Sequence, residues 1–596
     1  YLSTIQQSDE LPMWELAAND TRCMIGYHAV SVIADAYQKG IRNYSADDAW
    51  EAMHKSANVS KRGIQYYKEL GYVPSNKSSQ SVSKTLEYAY DDWCIAQFAK
   101  LTNREKEHNY YEQRAQFYRN VFDKESGFMR GRNADRSWRE PFDPQMVNYD
   151  YTEGNSYQYI YVPHHVNELI ELAGGDEKFA TWLDKLFETE MEHELEEGTD
   201  VTGLIGQYAH GNEPSHHIAY MYNYVGQAWK TQKYVREILE SMYNDTPGGL
   251  CGNEDCGQMS AWYVMSAMGF YPMAPGKGKY IIGSPVFDKV TIHLESGKTF
   301  TLSTIHQGDK NIYIQKATLN NKEYPLTYLL HSDIEKGGEI VFEMGPEPNK
   351  AYGSEKDSRP VSTAEAKFVD VPYLENNADY FIDNFEVKLA CPTENAEIFY
   401  TTDGTTPDTN STKYLKAFLL LIKTTDLKFI AYSTGLEPGY IAEKTIHKAE
   451  PQSGTFEKGI KYEYFEGVFR SARDFANEKP VKTGITSTFD LSNMVRNEWI
   501  ALRFNAYIDI PEDGEYTIYM NANDGGQLIF NGKELFESDG RKSFAFEQKA
   551  VLELRKGKYP LTVNFFQCSD NIQLNISWQR PGKAKETIPA RYLFHL

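Results

Sequence analysis

The spacing of apolar side chains changes at Met273, and no other feature limits the possible folds as strongly. Before that point apolar residues recur three and four apart, the period of amphipathic helices. Helices are predicted over 28–39, 46–55, 81–101, 106–122, 162–172, 178–188, 218–229, 233–242 and 257–268, with an irregular piece around 64–70. Beyond it, Lys279-Tyr-Ile-Ile282, Val290-Thr-Ile-His-Leu294, Ile312-Tyr-Ile-Gln-Lys316 and Glu339-Ile-Val-Phe-Glu343 alternate apolar with polar residues, the period of strands.

Paired helices with polar loops gathered at one end point to an α/α toroid over 1–272. A six-hairpin toroid needs two helices per hairpin. The toroid is therefore expected to be incomplete here, with part of it upstream of Tyr1. A β unit is expected at 273–345, a polar, Pro-containing linker at 346–362, a small β domain at 363–450 and a last β domain at 455–596. The fold class is thus multidomain α and β: helices first, then β-sandwich-like domains.

Three loop-like clusters carry the chemistry. They are Tyr151-Thr-Glu-Gly-Asn-Ser-Tyr-Gln-Tyr159, Gly211-Asn-Glu-Pro-Ser-His-His217 and Gly252-Asn-Glu-Asp-Cys-Gly-Gln258. Each brings carboxylates, amides or imidazoles to the start of an aromatic-rich segment. Two carboxylates can run acid/base chemistry at a glycosidic bond. Most of the 43 Tyr are accounted for by β-rich domains, and the remaining aromatic rings can stack on sugar faces. A net charge of −22 excludes a phosphate-binding nucleic-acid surface. No apolar run is long enough to span a bilayer. Six cysteines in 596 residues make no disulfide framework, and the spacing of Cys251 and Cys256 is wrong for zinc.

Glu153 reads as a general acid or as a helix N-cap. Asp255 reads as a base that activates water, with Glu254 as its rival and N-capping as the alternative; Asn253 can only orient water or ligand. His210, His216 and His217 read as hydrogen bonders to sugar or as braces. Trp262 is a candidate sugar contact on the following helix. Asp92 and Trp93 either line the site or belong to a solvated helix face.

The motifs Leu86-Glu-Tyr-Ala-Tyr-Asp-Asp-Trp93, Gly127-Phe-Met-Arg130, Thr152-Glu-Gly-Asn155, Val201–His217 and Gly252–Tyr263 closely resemble glycoside hydrolase family 92, over roughly residues 11–345. The resemblance implies a calcium-dependent, inverting exo-α-mannosidase acting on mannose-containing glycans, with Glu153 as acid and Asp255 as base. In that context Asn212 and Glu213 offer the hard oxygen donors calcium prefers. It also implies an N-terminal β-sandwich that completes the site and is missing here, since Pro12-Met-Trp-Glu15 resembles the middle of a member. Two positions depart from the family pattern. Asn253 stands where many members have Asp, and Glu197-Gly-Thr-Asp200 lacks the His-Glu pair of the α-1,2-cleaving branch. Pro511–Ile518 and Asn523–Gly532 resemble the protective-antigen-type β-sandwich, and the stretch at Asp403-Gly-Thr-Thr-Pro407 resembles a small fibronectin-III-like spacer. The other readings are a non-catalytic carbohydrate-binding protein and a mannosyl-phosphodiester hydrolase. The expected location is extracytoplasmic: periplasmic, cell-surface or secreted.

Overall fold

A computed structural model describes residues 2–3, 11–16, 19–20, 24–192, 201–376, 379–420, 423–469, 471–538, 546–569 and 572–596. The segment Glu197–Asp200 lies outside the described residues. Helices α1 (Ala29–Gln38), α2 (Ala46–Ser56), α3 (Ile64–Leu70), α4 (Ser81–Leu101) and α5 (Glu105–Arg114) come first. They are followed by α6 (Val166–Leu172), α7 (Asp176–Glu188), α8 (Ala228–Ser241) and α9 (Gln258–Met268). Local sequence explains several of the ends. Ser45 caps α2 by accepting the amide of Asp48 at 3.1 Å, with Asp47 and Asp48 in the first turn favouring the helix dipole.

Helix α4 is the axis of this half. Eighteen of its 21 residues are buried, so it packs on all sides rather than along one stripe. Its interior charges are therefore all partnered. Asp92 pairs with Arg114 at 2.7 Å, both side chains fully buried, and accepts the Tyr27 hydroxyl. Trp93 lies in the same core. Both were candidates for lining the site. Their burial in this interior removes them from any surface a ligand could reach.

Two expected helices are broken. The 106–122 segment leaves α-helix after Arg114 and tightens into a 3₁₀ turn, Phe117–Val121. There Phe117 enters one hydrophobic core while Tyr118 and Val121 enter the other, which a straight helix cannot do. The 218–229 segment is a wholly buried 3₁₀ helix, Ile218–Val225, stopped by Gly226 at φ +72°. Asn223 tethers it by donating to the carbonyls of Ile282 and Thr327.

From Phe270 strands take over. A three-stranded sheet is formed by β3 (Phe270–Tyr271), β4 (Lys279–Ile282) and β9 (Tyr328–Leu330), in the order β9-β4-β3. A five-stranded sheet, ordered β8-β7-β10-β6-β5, is formed by β5 (Lys289–His293), β6 (Thr299–Ile305), β7 (Tyr313–Leu319), β8 (Lys322–Glu323) and β10 (Gly338–Gly345). The labels β1 and β2 denote a short hairpin, Leu204–Ile205 with Tyr208–Ala209. The stretch 346–362 is no free linker. Arg359 pairs with Asp176 at 2.6 Å, Ser362 exchanges backbone and side-chain hydrogen bonds with Asn167, and Tyr352 is buried.

The small β domain is docked, not merely spaced. Its Val387, Leu427 and Phe429 share one continuous core with α1–α5, and Tyr440 packs on Phe117 at 5.2 Å. The last domain is two sheets, of eight and four strands, with Phe504, Ile518, Val563 and Trp578 between them. Its Asn523 and Asp524 are buried, and Asp524 accepts the backbone amides of Cys568 and Ser569.

Where the three units meet, Asp379 is held between Lys533 (2.6 Å), Lys444 (2.7 Å) and Lys77 (3.7 Å), while Glu69 takes the other side of Lys444 at 2.7 Å. Burial pushes the Asp379 carboxyl up, but the three ammonium groups outweigh it and hold it well below the usual carboxylate range.

Candidate active site

The three polar clusters meet because small residues let their backbones touch. A Cβ on Gly252 would sit 2.6 Å from Gly211 Cα, and one on Gly211 would sit 2.0 Å from Thr202 Oγ1. Only glycine permits that approach. The first cluster is tied in by side chains. Asn212 donates to the Glu153 carbonyl at 3.0 Å, and Ser83 of α4 accepts the Thr152 amide at 2.9 Å.

This brings Glu153, Glu213 and Asp255 together. Glu213 lies close enough to Asp255 and Glu153 to feel both carboxylates. Burial first, then those two neighbours, push its carboxyl up to about 9. Like charges that cannot all ionise in one site give this result. Glu213 Oε1 is also buried without a hydrogen-bonding partner. Glu153 and Asp255 adopt left-handed backbone, φ +51° and +50°, which costs non-glycine residues about 1–3 kcal/mol each. Asn253 is exposed at the rim.

Glu254 and Asp255 are held differently. Glu254 accepts the Ser260 amide at 3.0 Å and caps α9, which holds its carboxyl below the usual range. Asp255 is instead near enough to Glu213 to push up its carboxyl.

Beneath the carboxylates lies a layer of neutral imidazoles. His210 bonds to the hydroxyls of Tyr208 (2.8 Å) and Tyr243 (2.6 Å). His216 accepts from Gln258 on Nδ1 at 3.1 Å, so its Nε2 donates to the His210 carbonyl at 3.0 Å. Trp262 is fully buried and donates to the His216 carbonyl at 3.0 Å. His210 and His216 are therefore braces, the second of their two readings, and Trp262 is a buried strut rather than a sugar contact. His217 is also buried, yet neither ring nitrogen has a hydrogen-bonding partner. Burial pushes His216 down to about 4 and His217 down to about 3. Sequence reasoning missed Tyr271, which accepts from Gln258 and senses the Glu213 charge; Gln258 itself, inside the third motif, was the available signal.

The histidines are unsuited to holding a metal, since two are spent on internal bonds. Oxygen donors fit better: Glu213 has its unpartnered Oε1, and Asn212 uses its amide nitrogen internally, leaving Oδ1 as an acceptor. Among the described residues no group of three or more His, Cys, Asp or Glu side chains is placed to hold a metal ion by itself. Backbone carbonyls, water or ligand hydroxyls would have to complete a cation's shell.

The family model for the glycosyl hydrolase family 92 catalytic domain matches residues 1–346, more than half of the chain. The chain belongs to glycosyl hydrolase family 92. An Fn3-associated module matches 387–446 and a PA14 domain 457–592. Among solved structures, a family GH92 α-mannosidase from Bacteroides thetaiotaomicron, in complex with mannoimidazole, is 42% identical, with a TM-score of 0.59. The match covers 61% of this chain and 49% of that one. A family GH92 inverting mannosidase of the same organism is 40% identical over 61% of this chain and 52% of its own, with a TM-score of 0.56. A protein of Arthroderma benhamiae described as an uncharacterized secreted glycosidase is 30% identical over 406 residues, 61% of this chain and 50% of its own. The chain spans about half the length of the relatives it matches. As a family 92 chain it is a helical catalytic domain followed by β-rich modules. Among its described residues no helix is long and apolar enough to cross a membrane.

Proposed function

We propose that this chain belongs to an exo-acting, inverting, calcium-dependent α-mannosidase that releases terminal α-mannosyl residues from glycans. The observation that carries this reading is the convergence of Glu153, Glu213 and Asp255 from three separate loops. Glu153 protonates the departing oxygen. Asp255 takes the proton of the attacking water, because Glu254 is committed to capping α9. Asn212 and Glu213 would hold calcium, which when bound neutralises the carboxylate cluster and grips sugar hydroxyls. The like-charge crowding around Glu213 supports a cation there. Related proteins that are solved as mannosidases, and a relative described as secreted, support the substrate and an extracytoplasmic location. A β-sandwich contributed from outside this chain would close the site.

The product anomer tests the mechanism. A single displacement, with carboxyls ~6.5–9.5 Å apart, releases β-mannose first from an α-linked substrate. A covalent intermediate, with carboxyls ~5–5.5 Å apart, releases α-mannose. Time-resolved proton NMR of the full-length protein separates the two before mutarotation; an initial α-anomer would overturn the role given to Asp255.

A further inference from the structure

The face of α4 that anchors the Glu153 loop runs on into a second polar constellation. Ser83, Glu87 and Asp91 are four residues apart, so they stack along one side of the helix, each about 6 Å farther along its axis. Ser83 holds the Thr152 amide at 2.9 Å. One turn on, Glu87 Oε2 lies 3.0 Å from His28 Nε2. One turn further, Asp91 Oδ1 lies 2.7 Å from His28 Nδ1, and its Oδ2 accepts the Tyr27 amide at 2.7 Å.

Burial pushes the His28 imidazole down, but the two carboxylates outweigh it and keep the ring charged. His28 nonetheless remains 39% exposed, at the start of α1. Its ring meets Tyr161 at 6.3 Å, and Tyr161 meets the unpartnered His217 at 5.2 Å. Tyr159 senses the charges of both Glu87 and Glu153. Tyr159 and Tyr161 therefore link the two constellations. Asp91 is spent on two bonds, whereas Glu87 Oε1 has no hydrogen bond among the described residues.

We propose that Glu87 binds a hydroxyl of the terminal hexose, and that His28 is the positioning residue that balances and aims its carboxylate. The arrangement suits this task. Two bare carboxylates here would add two charges to the like-charge crowding at Glu213, whereas the shared imidazolium cancels one of them and leaves Glu87 an acceptor oxygen. An O–H···O⁻ bond to an ionised acceptor is strong and directional. The inference rests on the glycosidase reading and assigns a residue of sugar recognition that the carboxylate cluster does not supply.

The test is a substrate series on the full-length protein: an aryl α-mannoside and its 2-, 3-, 4- and 6-deoxy analogues, with wild type and Glu87→Gln. Glu87→Gln should lower kcat/KM on the parent mannoside on the order of 10–10²-fold, the worth of a bond to a charged group. On the one analogue lacking the hydroxyl it holds, the loss should shrink to less than about threefold, the non-additivity of a true contact. An equal loss on all the analogues, as a merely structural role gives, would overturn the proposal. If Glu87→Gln does not fold, Glu87→Asp, which keeps the charge but withdraws it by a methylene, is read in the same way. If wild type cleaves no mannoside, the mannosidase reading fails separately. Calorimetric affinities for methyl hexosides then decide: a roughly tenfold weakening in the variant supports the contact, and unchanged affinities overturn it.

Discussion

Two carboxylate sites in this molecule are built in opposite ways. At the junction of the three units, Asp379 has a lysine on each of three sides and is held ionised. At the loop cluster, Glu213 has two carboxylates for neighbours, an oxygen with no partner and a proton it holds up to about 9. The first arrangement satisfies its charges within the chain and so fixes geometry. The second leaves one Glu213 oxygen without a partner beside two like-charged neighbours, and holds Glu153 and Asp255 in left-handed backbone besides. Crowded carboxylates and strained backbone are destabilising, so the surrounding fold must hold them in place, and such features cluster where ligands bind and react. The difference marks architecture in one place and chemistry in the other.

Substitution should separate them cleanly. Glu153→Gln should lower turnover of substrates with poor leaving groups on the order of 10²–10⁴-fold, the range of general acid catalysis. Activated aryl mannosides should lose less, and the melting temperature should barely move. Equal losses on both substrate types would remove the acid assignment. Asp379→Ala should do the reverse, leaving turnover per folded molecule intact while costing about 3–5 kcal/mol in denaturant unfolding, because Lys533 loses its carboxylate and Lys444 and Lys77 each lose one of their partners. The pH sign follows from the depressed carboxyl. Its contribution is present above the unfolded value of about 3.9 and is lost only as pH falls through the much lower folded value. Wild type should therefore keep its advantage over the variant at mildly acid pH. An Asp379 variant that unfolds no more easily than wild type would collapse the contrast.

How much of this was legible in the sequence depended on whether a residue's role is local. Helix α4, the change to strands after Met273 and the gathering of the three loops are local or motif-borne, and the residues display them. What could not be read is which polar residues turn inward. Asp92 and Trp93 look like a helix rim until Arg114, 22 residues away, is seen buried against Asp92. His210, His216 and Trp262 sit in the same motifs as Glu213 and Asp255, and only the three-dimensional stacking shows them beneath the carboxylates. The Glu254–Asp255 choice was undecidable from spacing because it turns on one bond to Ser260. The 346–362 stretch reads as a linker from its polar composition, and its anchoring by Asp176 and Asn167 is wholly non-local.

The contact between the second and third loops can be broken on its own. Gly252→Ala places a methyl group 2.6 Å from Gly211 Cα, where backbone rather than a flexible side chain must yield. We expect a cost of about 1–3 kcal/mol, as for overpacked sites, together with a fall in kcat, because Asp255 moves relative to Glu213. Gly248, whose added Cβ meets nothing, is the control, and Gly248→Ala should leave activity unchanged. Equal behaviour of the two alanines would mean that the close approach does not set the site.

The smallest expected effect sharpens the comparison most. If Glu213 is kept in place for a cation rather than for folding, the metal-free protein should be more stable without its carboxylate. Glu213→Gln keeps the shape and removes the charge conflict with Asp255 and Glu153. In chelator the variant should therefore unfold later than wild type, by about 0.5–2 kcal/mol, the usual gain when a functional site is relaxed. The sign with pH is set by the raised carboxyl. Folded protein keeps a proton that the unfolded chain releases near the ordinary glutamate value, so wild-type stability falls as pH rises from there toward about 9. The neutral amide does not share this loss, and the variant's advantage should widen across that window. Added calcium should reverse the order, since it binds the folded wild type and not the amide variant, raising wild-type stability by mass action. A thermal-unfolding series in chelator, calcium and zinc reads all of this at once. If Glu213→Gln destabilises the metal-free protein, the carboxylate belongs with Asp379 as architecture, and the cation site proposed at Asn212 and Glu213 falls with it.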